Sequence, residues 1–243
     1  METNKRLFRF LTYDQLKGLS AFWIIIALVN IAALIFTSKA SANIVLGPMI
    51  RNGEAITFAG ANIFSLFVYF IIYGLLMYHE SFSLTAGFGV TRKSFYLNVI
   101  VNNIIIVLIS SIIEIILLKI DNYTISVIGY KPMVDFGLFN TNDYIALNIL
   151  KLSLIFLILA STMNLLGILQ YRFGYKLWIG IGIFTVFTSL TINPFNRFVG
   201  GIIRIFIDAN NLGTYGSALV IGLLIILLAY SIGYLLIRRI DVK

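Results

Sequence analysis

Residues 95–118 read FYLNVIVNNIIIVLISSIIEIILL, with one charged side chain, Glu114, among Ile, Leu and Val. At about 1.5 Å of rise per residue, a helix of this length spans about 36 Å, against roughly 30 Å for the hydrocarbon core of a bilayer. Apolar and polar residues do not alternate, so a half-buried strand is excluded. Five further runs have the same character: Leu19–Phe36, Phe58–Tyr78, Tyr144–Gln170, Leu177–Ile192 and Tyr215–Ile237. The sequence predicts an all-α integral membrane protein, with six transmembrane helices forming a single domain over residues 1–243.

Composition agrees. The chain is 60% hydrophobic and 12% charged, with a mean hydropathy of +0.97, whereas soluble domains are about half apolar and a quarter charged. There is no cysteine and only one histidine, His79, so disulfides, thiol chemistry and Cys- or His-based metal sites are excluded. The net charge is +8, and the basic residues sit beside the ends of apolar runs. Contact with anionic lipid is therefore expected, and nucleic acid is not. With six spans, Lys5, Arg6, Arg9, Lys17, Arg92, Lys93, Arg172, Lys176, Arg238, Arg239 and Lys243 share one side, eleven against six (Lys39, Arg51, Lys119, Lys131, Arg197, Arg204) on the other. This bias places both termini in the cytoplasm. Ala40-Ser41-Ala42 resembles a signal-peptidase site, but the charged lead before the first apolar run is long for a signal peptide, and retention as a span is expected.

Three segments are neither span nor plain loop. In Lys5–Gln15, Leu7, Phe8, Phe10 and Leu11 share one arc and Lys5, Arg6 and Arg9 the other, the pattern of an amphipathic helix lying at the membrane interface. Residues 79–93 exceed what a turn requires: a short helix-capable stretch, a Gly-rich break, and Thr91 placed to cap the third span. Phe82, Leu84 and Phe88 there need a cover, either a cytosolic partner or the membrane interface. Pro194–Leu212 is apolar but too short to cross and reads as an outer re-entrant or interfacial segment.

Polar residues inside the spans mark sites or interior ties. Asn102, Asn103 and Glu114 lie in the third span and Lys151 in the fourth, with Glu114 and Lys151 both in the outer half, so an interhelical ion pair is expected. A proton or cation site at Glu114 is the competing reading, and a single acidic residue is thin support for a relay. The second span carries Ala59, Gly60, Ala61, Ser65 and Gly74. Such small residues permit close helix approach within one chain or between two, with Ser65 the candidate dimer contact. There is no GxxxxGK[ST], HExxH or GxSxG run, so the chain shows no ATP-cradling or hydrolytic apparatus of its own.

Glu80-Ser81-Phe82 through Gly89-Val90-Thr91-Arg92-Lys93-Ser94-Phe95-Tyr96 resembles the cytoplasmic coupling helix of the six-span permease subunits of type-2 ABC exporters. The lead helix, the span count and the outer segment extend that likeness over nearly the whole chain. Size and general character are similar to the bacterial Pmt-type exporters of phenol-soluble modulins. The chain departs from larger relatives in having no fused nucleotide-binding domain. The resemblance implies a permease of the bacterial cell membrane, not itself an enzyme, that exports an amphipathic or hydrophobic substrate such as a peptide. It implies a second permease chain, identical or paralogous, and two cytosolic ABC ATPase chains that bind ATP and Mg. It also implies that Glu80, Phe82, Leu84, Phe88, Gly89 and Arg92 couple to the ATPase. The rival readings are a secondary transporter or channel that uses Glu114, and a non-transporting membrane scaffold.

Overall fold

The computed structural model describes residues 2–39, 50–51, 54–55, 58–127, 131–136, 139–191 and 212–238. The long elements are helices: α1 (Glu2–Lys39), α2 (Phe58–Met77), α4 (Arg92–Val127), α5 (Ile145–Phe173), α6 (Lys176–Thr191) and α7 (Leu212–Ile237). A π-helical turn, Tyr78–Phe82, joins α2 to the short α3 (Ser83–Gly87), and a two-residue pairing of β1 (Ile50–Arg51) with β2 (Glu54–Ala55) precedes α2.

Among the described residues, five helices are long and apolar enough to cross a membrane; α6, at 16 residues, is shorter. Large apolar side chains face outward along them, among them Ile24, Ile25 and Leu28 on α1 and Leu224, Leu227 and Leu228 on α7. Such a surface suits lipid and not water. The segment Pro194–Leu212 lies outside the described residues, except for Leu212, which opens α7.

Two core clusters set the helix directions. One joins Leu7 and Leu11 of α1, Met77 of α2, Phe95, Tyr96 and Val99 of α4, Ile168 of α5 and Ile237 of α7. The other joins Leu19 and Trp23, Ala59 and Ile63, Ile115 and Leu118, Leu152 and Phe156, with Phe139. Starts of α1 and α4 thus meet ends of α2, α5 and α7, and both ends of the described chain lie at one end of the bundle, here called the termini end.

The lead does not form a separate interfacial helix. No proline interrupts residues 2–39, Gly18 alone costs about 1 kcal/mol of helix propensity, and the lead continues into the first span as one helix. Leu7 and Leu11 are buried against the bundle, while Phe10 stays exposed.

Helices α2 and α5 cross backbone to backbone. A Cβ on Gly167 would lie 2.5 Å from the carbonyl oxygen of Gly74, and one on Gly74 would lie 2.6 Å from Cβ of Met163. Gly74 and the buried Ala59 are thus used within the chain. At the opposite end, residues 131–136 pair with 139–141: Thr141 N–H donates to the Val134 carbonyl at 2.9 Å, and the Phe136 and Phe139 rings stack at 5.2 Å. Phe139 is completely buried, and Lys119 and Asn122 of α4 hydrogen-bond to Thr141.

Gly167→Ala should destabilise the folded protein by about 1–3 kcal/mol, because two backbones must separate. Gly180→Ala, where a Cβ meets nothing within 4 Å, should be neutral or slightly stabilising. Thermal unfolding of both variants in one detergent checks this; equal midpoints would contradict the crossing.

Candidate functional site

The predicted coupling segment lies at the termini end. Thr85 closes the π turn by donating its hydroxyl to the Ser81 carbonyl at 2.8 Å. Phe82, expected to be exposed, is 1% exposed. Its ring lies 5.2 Å from Phe95 of α4, 5.4 Å from Tyr171 of α5 and 6.3 Å from Tyr78. The physical reason is the π turn, one residue longer per turn than an α-helix, which rotates Phe82 inward. Phe82 is therefore a core anchor and not a partner contact.

Leu84 and Phe88 stay outside, 49% and 75% exposed. Gly89 takes φ +73°, a left-handed conformation that glycine adopts without penalty, and it turns the chain back toward α4. The Thr91 hydroxyl accepts the Ser94 N–H at 3.3 Å, the cap expected from sequence. Arg92 donates to the Arg238 carbonyl at 3.2 Å, tying the start of α4 to the end of α7. Glu80 is exposed and lines a groove between α1 and α2, as does the half-buried Ser65.

Just inside the bundle lies a belt of polar ties. Gln15 of α1 donates to the Met77 sulfur at 3.2 Å and accepts from Asn102. The Tyr78 hydroxyl donates to Asn164 Oδ1 at 2.6 Å. Asn103 donates to the Tyr230 hydroxyl at 3.2 Å, and Tyr96 donates to the Tyr230 carbonyl at 2.7 Å. Asn102 and Asn103 are thus structural ties. Their partners Gln15 and Tyr230 are not evident from sequence, because each sits in an otherwise ordinary amphipathic or apolar helix.

Deeper in α4, Ser110, Ser111, Glu114 and Asp121 are buried on the interior face. Asp121 accepts the Ala59 N–H at 2.9 Å, an acidic group placed at the positive start of α2. Glu114 is 0% exposed, and neither of its oxygens has a hydrogen-bond partner among the described residues. Asn62 Nδ2, Trp23 Nε1 and the hydroxyls of Ser110 and Ser111 are likewise buried without one.

The expected Glu114–Lys151 pair is corrected. Lys151 Nζ lies 3.0 Å from Asp143 Oδ2. Asp143 stands in the turn just before α5, so the lysine stem reaches along its own helix toward the wetter end. A cluster of three or more metal-ligating residues is absent among the described residues.

A double-mutant cycle on thermal stability should therefore show Lys151→Met and Asp143→Asn coupled by at least about 0.5 kcal/mol. Lys151→Met and Glu114→Gln should add within about 0.5 kcal/mol. The reverse pattern would restore the Glu114–Lys151 pair.

No known protein family, curated protein or solved structure matches this chain.

Proposed function

We propose that this chain is the membrane-spanning permease subunit of a type-2 ABC exporter in the bacterial cell membrane. In this reading α6 is the fifth span and α7 the sixth, Pro194–Leu212 is the outer re-entrant segment between them, and the termini end is cytoplasmic. Two permease chains work with two ATPase chains, which bind ATP and Mg, and the exported substrate is amphipathic or hydrophobic, a peptide most readily.

One observation carries this reading: a short helix and its C-cap, with Leu84 and Phe88 exposed, rooted by Phe82 on Phe95 of α4 and Tyr171 of α5. A push on Leu84 and Phe88 reaches α4 and α5 through one aromatic anchor, which is what a coupling element requires. Packed cores move between discrete arrangements and do not deform continuously. ATP binding on the partner then biases the permease through its differential affinity for the two states. No catalytic residue is needed on this chain.

A second reading is favoured by Glu114, whose buried and unpartnered carboxyl suits a secondary transporter or channel. The two readings differ in their energy source: proteoliposomes holding this chain alone would transport on a proton gradient only in the second.

The tagged chain, purified from its native membrane, should carry ATP hydrolysis at one ATPase chain per permease chain. Leu84→Ala with Phe88→Ala should lower ATPase recovery at least about tenfold, the scale of losing an aromatic hot spot. Phe82→Ala should instead destabilise the permease itself by about 3–5 kcal/mol. Unchanged ATPase recovery with the paired surface variants would overturn the coupling role.

A further inference from the structure

A groove of about 550 Å³ runs along the bundle between α1 and α2. Gly18 borders it, and a Cβ there would meet nothing within 4 Å. Behind it, Gln15 and Met77 join the two helices. Its walls are apolar: Phe22 and Ile25 from α1, and Phe64, Val68, Ile72 and Leu76 from α2.

Its charge is the reverse of the chain's. The protein carries 18 Lys and Arg against 10 Asp and Glu. Among the described residues that line the groove there is no Lys, Arg or His, while Asp14 and Glu80 stand together at its termini end. Both carboxylates are exposed, and neither shows an ion pair among the described residues. An anionic lipid head would be repelled there, and an apolar partner helix would leave both charges without a counterpart. From Asp14 to Ile26 the α1 wall is about 18 Å long, the reach of a single extended alkyl chain.

We propose that this groove is a binding site for a single-chain cationic amphiphile, with its ammonium head between Asp14 and Glu80 and its chain along the α1–α2 walls. The site is built entirely from this chain, so it stands or falls apart from the exporter reading; within that reading it names a substrate class.

The test uses the Cys-free chain carrying Ser65→Cys on the groove wall, labelled with an environment-sensitive dye and held in phosphatidylcholine nanodiscs. Dodecyltrimethylammonium below its micelle concentration should give a saturable signal, and dodecyl sulfate, with the same chain and opposite head, should not. Asp14→Asn with Glu80→Gln should weaken the cation's apparent affinity about tenfold. Val68→Trp, which narrows the groove from the α2 wall and leaves both carboxylates in place, should abolish saturation. Equal responses to both amphiphiles, or an unchanged affinity in the carboxylate variant, would overturn the proposal. So would a Ser65→Cys disulfide between two chains before any ligand is added, which would assign the groove to a second copy.

Discussion

Where Gly74 faces Gly167, α2 and α5 approach until one backbone rests on the other, and the termini end is arranged around that contact. With any larger residue the helices would stand further apart. The Tyr78 hydroxyl could then no longer reach Asn164, one turn from the crossing on each helix, and Phe82 would lose its edge contact with Tyr171. The apolar effect does little to hold helices together in lipid, since acyl chains are as apolar as leucine. Close packing and interhelical hydrogen bonds must supply the association.

Polar side chains divide along the helices accordingly. Near the termini end they are paired into a belt that links α1 to α2 and α4, α2 to α5, and α4 to α7. Toward the opposite end, Asp121 holds the start of α2 and Lys119 and Asn122 hold the fold-back that buries Phe139. Between them, around Glu114, the buried polar atoms lack partners. The bundle is thus pinned at both ends, although single atoms of the belt residues Asn102, Asn103 and Asn164 are also buried without a partner. An unmade hydrogen bond at such depth costs about 1–3 kcal/mol.

The helical architecture was legible because apolar runs of spanning length admit few alternatives, and the Thr91 cap and the turn at Gly89 followed from local chemistry. The sequence does not disclose how the backbone rotates at a π turn, so Phe82 looked exposed although it is an anchor. Lys151 was matched to Glu114 by depth alone, while the nearer Asp143 lay in a connecting turn that span counting passes over. Only part of the lead's apolar arc acts as a face: Leu7 and Leu11 join a cluster with Met77 and Phe95 of the bundle, whereas Phe10 stays exposed. Small residues in the second span proved to serve different ends: Ala59 and Gly74 pack inside, whereas Ser65 borders the groove.

In the proposed orientation the short helix after α2 faces the cytosol and the α4–α5 connection faces outward. Single cysteines at Phe88→Cys and Tyr123→Cys, both exposed positions in a Cys-free chain, test this with a membrane-impermeant maleimide. In intact cells, Tyr123→Cys should react and Phe88→Cys should react only after the membrane is opened. Labelling of Phe88→Cys from outside, or of both positions from the same side, would contradict it.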